Sequence, residues 1–254
     1  MLLAHDLLGP PDAPPLVLVH GITESRATWA RVAETLSADH RVLSVDLRGH
    51  GDSPAGSRYD PVAYAADVAE TVAAVGMADP VIVGHSLGGV VVTAYPSVGS
   101  CRAIVNVDQP LRLAGFKDGL LSLAPMLRGS TEQFREAIGM VFDGMRGPLA
   151  ADEVARVESI RRPDQTVVLG TWKSVLESST AELDEAIVAL TGAVHVPYLS
   201  LHGIDPGPDY AEWLHGQIPQ ATVEVWPDHG HYPHLVDTPR FVARLAAFER
   251  ELGA

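Results

Sequence analysis

A chain of 254 residues that is 46% hydrophobic and 20% charged can bury one substantial core, and its composition is neither disordered nor fibrous. Its 18 basic against 32 acidic side chains, a net charge of −14, argue against nucleic acid and anionic membrane as partners, because both need a basic face. The single cysteine, Cys101, excludes an intrachain disulfide framework, suits a reducing compartment, and reads as structural because it opens an apolar run.

The first residues, Met1-Leu2-Leu3-Ala4-His5-Asp6, lack a basic segment followed by an apolar one, so no signal peptide is expected. No run approaches ~18 apolar residues, the length a membrane-spanning helix needs. The expectation is a soluble cytoplasmic protein; oligomeric state leaves no readable mark.

In chain order, short apolar runs alternate with helical patterns. The run 16–19 ends at His20-Gly21, and a helix pattern follows over 27–38. The run 41–45 ends at Asp46, before a helix over 61–75. The run 81–83 leads into Gly84-His85-Ser86-Leu87-Gly88, with a helix over 87–98 behind it. The run 103–107 ends at Asp108. After a long interval, 196–201 ends at His202-Gly203, with a helix over 208–217. The run 222–225 stops shortly before Asp228-His229-Gly230-His231, and a helix over 239–252 closes the chain. Strands that are apolar throughout and separated by helices predict an α/β fold whose mostly parallel sheet is covered on both faces. Ligands bind such sheets beyond the carboxyl ends of the strands, where the polar residues above all fall.

Residues 111–192 break the alternation, with only a brief strand-like stretch at 165–169. The segment is too long for one crossover helix, and Gly, Pro and Arg-Arg punctuation cuts it into about four helices. It reads as a helical cap inserted into a core made of residues 1–110 and 193–254. Its Phe and Met residues (Phe116, Met126, Phe134, Met140) fit plain core packing, and also the lining of a pocket.

The strand–turn–helix around Ser86 lifts one hydroxyl clear of the sheet, with a helix N-terminus aimed at it. A serine hydroxyl is a poor nucleophile at neutral pH and needs a base, which in turn needs an orienting acid. Of the 11 histidines, His231 sits on a glycine-containing loop between the last strand and the last helix, where an imidazole can reach over the serine. His229 and His234 are rivals by proximity. A zinc pair through His231 and His234 has no carboxylate-rich helix to complete it, so no metal is expected. Gly88-Gly89 lacks the following Lys-Ser/Thr of a phosphate loop, and no organic cofactor is implied.

Four stretches resemble the α/β-hydrolase superfamily in its own order: His20-Gly21 with Trp29 downstream, Asp46-Leu47-Arg48-Gly49-His50-Gly51-Asp52-Ser53, Gly84-His85-Ser86-Leu87-Gly88-Gly89, and Gly230-His231-Tyr232-Pro233-His234. The resemblance spans nearly the whole chain. It implies Ser86 as nucleophile, His231 as base, and an oxyanion hole from the backbone N–H groups of Ile22 and Leu87. His20, Asp46, Arg48 and Asp52 read as ties between loops at the strand ends, and His85 as a residue that packs or bonds locally.

The acid is where the chain departs from that pattern. The superfamily's usual acid stands three residues past the glycine of a His-Gly-x-x-Asp loop after the sixth core strand. In His202-Gly203-Ile204-Asp205-Pro206 that position is Pro206, and Asp205 comes one residue early. Asp108 ends the strand after the nucleophile helix, 22 residues past Ser86. Haloalkane dehalogenases, zearalenone-type lactonases and cofactor-free dioxygenases place their acid at that strand end. Asp108 is the first candidate and Asp205 the alternative, ahead of Asp209 and Asp237.

The expected activity is that of a serine hydrolase cleaving a carboxylic ester or lactone of a hydrophobic small molecule through an acyl-enzyme. Serine rather than aspartate at the elbow argues against haloalkane dehalogenase and epoxide hydrolase chemistry. Carbon–carbon bond hydrolysis, cofactor-free oxygenation and slow-turnover ligand reception are the alternatives that the same scaffold offers.

Overall fold

Among the described residues, 1–253, the computed structural model holds a seven-stranded sheet of order β1-β3-β2-β4-β5-β6-β7. The strands are β1 (His5–Leu8), β2 (Pro15–Val19), β3 (Arg41–Val45), β4 (Val81–His85), β5 (Ala103–Val107), β6 (Tyr198–His202) and β7 (Ala221–Val225). Only the β1–β3 pairing is antiparallel; β3, β2, β4, β5, β6 and β7 run parallel.

The continuous apolar runs are explained by alternation between two buried faces. Leu16, Leu18, Val81, Val83, Val105 and Val107 point to one face, where Trp29 and Val32 of α1 (Ala30–Leu36) and its preceding turn, and Phe241 and Leu245 of α12 (Thr238–Glu251), cover them. Val17, Val19, Leu43, Val45, Ile82 and Ile104 point to the other, under Val68 and Val72 of α2 (Pro61–Ala74) and Val91 and Val92 of α3 (Leu87–Ala94). Each fully buried aliphatic side chain contributes about 2 kcal/mol of transfer free energy, so both faces are strongly held.

Between β5 and β6 lies the inserted helical region: α4 (Ala114–Leu127), α5 (Thr131–Asp143), α6 (Ala151–Ile160), α7 (Gln165–Thr171), α8 (Lys173–Glu177) and α9 (Thr180–Thr191). Ser130 with Gln133 and Ser179 with Glu182 form capping boxes that start α5 and α9. The strand-like stretch at 165–169 is helical, α7, because the Asp164 carboxylate caps the Val167 N–H at 3.0 Å and overrides the β preference of Val167 and Val168. After β6, α10 (Tyr210–Gln217) leads to β7, and the short α11 (Pro233–Val236) follows the Gly230-His231 loop. No described helix is long and apolar enough to cross a membrane.

Candidate active site

Ser86 occupies the turn between β4 and α3 with φ 53° and ψ −121°, a conformation rare for a residue with a side chain. The flanking glycines supply space. A Cβ on Gly84 would collide with the Gly88 carbonyl, and one on Gly88 with the Val19 carbonyl of the neighbouring strand. The positive φ itself falls on the serine. Register then sets its neighbours. His85 pairs with Val107, and the Ser86 N–H donates to the Val107 carbonyl at 3.0 Å, so Asp108, the residue just after β5, stands near the serine at the strand ends.

Asp108 is also in the left-handed region, φ 52°, and is 3% exposed. Its Oδ1 accepts from Gly203 N at 2.7 Å and Ile204 N at 3.0 Å; its Oδ2 accepts from His231 Nδ1 at 2.6 Å. Burial alone would push this carboxyl up, but the hydrogen bond and charge of His231 and the Ile204 N–H outweigh burial and hold it below the usual carboxylate range. A carboxylate can only accept, so Nδ1 of His231 carries the proton of the neutral ring. That leaves Nε2 as a bare lone pair, buried and without a hydrogen-bond partner among the described residues. Such a nitrogen can receive a proton from a hydroxyl brought within reach.

Asp205 is not part of this cluster. It is exposed, and its Oδ1 accepts from Gly207 N at 2.9 Å within its own turn. Asp209 is exposed at the start of α10, and Asp237 accepts from Arg240 N at 3.1 Å as the cap of α12. The two rival histidines do not bond Asp108. His234 is wholly buried against Trp29, with ring centroids 4.3 Å apart, and burial holds it well below its ordinary pKa and therefore neutral. His229 Nδ1 bonds the Pro227 carbonyl at 2.8 Å. Among the described residues, no group of three or more His, Cys, Asp or Glu side chains is placed to hold a metal.

The loops around the serine are tied as the motif residues dictate. His20 Nδ1 donates to the Gly21 carbonyl at 2.7 Å, and its Nε2 accepts from Leu47 N at 3.0 Å. Asp46 accepts from Arg26 N and Asp52 N and pairs with the Arg26 guanidinium. Arg48 joins Asp67 to the Arg58 and Ala63 carbonyls. These ties press the Gly21-Ile22 loop against Ser86: a Cβ on Gly21 would sit 3.2 Å from Ser86 Cβ. Leu87 opens α3, where N–H groups have no carbonyl within the helix to bond. Ile22 and Leu87 also belong to one apolar cluster with Leu120, Leu127 and Trp172 of the inserted region.

One group of residues has no counterpart among the sequence motifs. Glu24, 1% exposed, accepts from Tyr232 OH at 2.7 Å, and Arg161, just past α6, donates to that same hydroxyl at 2.8 Å. The one signal is an acidic residue in the loop between His20-Gly21 and the buried Trp29. Its cationic partner lies more than a hundred residues away, so no local pattern connects them.

A model of the alpha/beta hydrolase family matches residues 16–245. The chain belongs to that family. Within it, the chain is 31% identical to a non-heme chloroperoxidase of Burkholderia pyrrocinia, over 94% of this chain and 93% of that protein. It is 28% identical to a pimeloyl-[acyl-carrier protein] methyl ester esterase of Aliivibrio salmonicida, over 92% and 91%. The crystal structure of the esterase RhEst1 from Rhodococcus sp. ECU1013 superposes with a TM-score of 0.75 at 25% identity, covering 99% of this chain and 98% of that one. As in an alpha/beta hydrolase fold generally, these candidate residues lie at the carboxyl ends of the strands, next to an inserted helical region.

Proposed function

We propose that this alpha/beta hydrolase is a serine esterase or lactonase acting on a hydrophobic small molecule. The observation that supports the reading is the Asp108–His231 hydrogen bond, which fixes the imidazole tautomer and leaves Nε2 without a partner, at the strand ends where Ser86 N–H bonds the Val107 carbonyl. Ser86 Oγ attacks the acyl carbonyl while His231 Nε2 takes its proton, and Asp108 steadies the resulting imidazolium. The N–H groups of Ile22 and Leu87 receive the developing oxyanion, and each such donor contributes about 10²–10³ in rate. His231 then protonates the leaving alkoxide. Water, activated by the same nitrogen, attacks the acyl-enzyme and releases the acid and Ser86. No step draws on a metal or an organic cofactor.

The substrate class follows from the apolar continuity between Ile22, Leu87 and the inserted helices, and from the esterases among the relatives. A cytoplasmic location fits a chain with one cysteine, itself buried and with its thiol pushed up to about 12 by burial.

The competing reading is a slow-turnover ligand receptor, which the 9% exposure of Ser86 keeps in view. Steady-state assay with p-nitrophenyl esters of increasing acyl length separates the two. The enzyme is expected to turn over many times per site, with a preference for apolar acyl groups. A single burst of one equivalent, with a large ligand-induced rise in melting temperature, would overturn the esterase reading.

A further inference from the structure

Glu24 stands at the meeting point of the three segments that carry the proposed chemistry. Its Oε2 accepts from Gly21 N at 3.3 Å, in the loop that also holds Ile22. The same oxygen lies 3.6 Å from Nδ1 of His85, the residue before Ser86. His85 Nε2 in turn donates to the main-chain carbonyl of His231 at 2.8 Å. The other oxygen, Oε1, accepts from the hydroxyl of Tyr232, the residue after His231. One buried carboxylate thus touches the oxyanion loop, the nucleophile strand and the histidine loop.

The fourth arm of the hub comes from the inserted helices. Arg161 donates to Tyr232 OH at 2.8 Å, lies 3.9 Å from Glu24 Oε1, and rests over the Phe142 ring at 4.0 Å. The next residue, Arg162, donates its N–H to the Thr23 carbonyl at 2.9 Å, and Arg156 bonds the Ala27 and Thr28 carbonyls. The loop after α5 reaches the same place from the other side. His231 N donates to the Met145 carbonyl at 2.7 Å, and a Cβ on Gly147 would come within 2.6 Å of the Gly230 Cα. Gly230, at φ 60°, has no room for a side chain there.

We propose that Glu24 is a positioning residue, through which docking of the inserted helices by Arg161 aligns the oxyanion loop and the His231 loop on Ser86; this rests on the serine-hydrolase reading above. Its chemistry suits the task. A carboxylate at this depth is stable only if its lone pairs and charge are met, and each partner that meets them is itself a part of the site or of the inserted region. Burial would push the Glu24 carboxyl up, but His85, Arg161 and Tyr232 together hold it far below the usual range, so the hub stays charged across the physiological span. Without the Arg161 guanidinium the anion would lose the cation that balances it. The docked helices therefore help to hold the oxyanion loop and the His231 loop in register with Ser86.

The test is Glu24→Gln and Arg161→Gln, singly and together, with two readouts. The first is kcat per site titrated with a fluorophosphonate, which removes any misfolded fraction from the count. Both single variants are expected to lose about 10² in kcat per titrated site with KM nearly unchanged, as a displaced catalytic group does. The double variant is expected to lose no more than the worse single one. The second readout needs no turnover: the downfield proton resonance of the His231–Asp108 hydrogen bond is expected to shift or broaden in each variant. An unmoved resonance and unchanged kcat per titrated site, with only a lower melting temperature, would make Glu24 a structural ion and overturn the proposal. A wild-type protein without turnover would instead count against the esterase reading, and the resonance would still decide the role of Glu24.

Discussion

Exchange of Ser86 for alanine is expected to lower kcat on p-nitrophenyl esters by about 10⁶, because the nucleophile has no substitute within the site. What remains should still exceed the rate in water, since the N–H groups of Ile22 and Leu87 and the apolar surroundings would be intact. The melting temperature should move little. The hydroxyl has no hydrogen-bond partner among the described residues to lose, and alanine meets the same left-handed backbone that serine already tolerates at φ 53°. Initial-rate assays alongside thermal unfolding check both halves. Retention of wild-type turnover in the alanine variant would place the reaction elsewhere.

The second large effect is expected at Asp108. In Asp108→Asn the amide oxygen can still accept from Gly203 N and Ile204 N, so the strand ends keep their shape. The amide N–H group would then face His231 Nδ1 and force the ring proton onto Nε2, the nitrogen that must be bare. A loss of about 10⁴ in kcat is expected, with KM within a few-fold of wild type. Asp205→Asn should keep nearly full activity, because an asparagine oxygen accepts from Gly207 N just as the carboxylate does. The pair of variants assayed side by side distinguishes the two aspartates; the reverse outcome would contradict the account. There is a stability corollary. Asp108 is held below its ordinary value, so its contribution is whole above the unfolded carboxylate range of about 4 and is lost as pH falls through the folded value. Unfolding of Asp108→Asn should accordingly depend less steeply on pH in that acid window.

The parts of this molecule that a reader of the sequence can see are those repeated along the chain by one physical cause. Leu16 to Val19 and Val81 to Val83 are apolar at every position because both faces of the sheet are covered, so parallel strands announce themselves. Gly84 and Gly88 flank the serine because backbone carbonyls occupy the space a Cβ would need. β1 gives no such sign. Each of its residues is exposed, and edge pairing with β3 through the main chain holds it, so nothing in His5-Asp6-Leu7-Leu8 alternates. In the inserted region α5, α7 and α9 start at the side-chain caps Ser130, Asp164 and Ser179, while α4, α6 and α8 have no side-chain cap to mark their starts.

The acid illustrates the division more closely. From the sequence, Asp108 ended one strand and Asp205 lay in the loop after another, both at the carboxyl edge, and a family count spoke against Asp205. Register separates them. Val107 pairs with both His85 and Leu201, which places Asp108 between the nucleophile strand and the Gly203-Ile204 turn whose N–H groups it accepts. Asp205 lies beyond that turn, facing its own chain. Glu24 and Arg161 were hidden for a different reason: two charges that meet across the core–insertion boundary follow no spacing rule, and only packing brings them together.

The most direct test of the central claim is a crystal structure of the protein after reaction with an ester-mimicking alkyl phosphonate. The account predicts a covalent bond from Ser86 Oγ to phosphorus and a phosphonyl oxygen within hydrogen-bond distance of Ile22 N and Leu87 N. It also predicts Nε2 of His231 turned to the adduct while Nδ1 still donates to Asp108. An adduct on any other residue, or a His231 that gives its Nδ1 proton to Asp205, would contradict it.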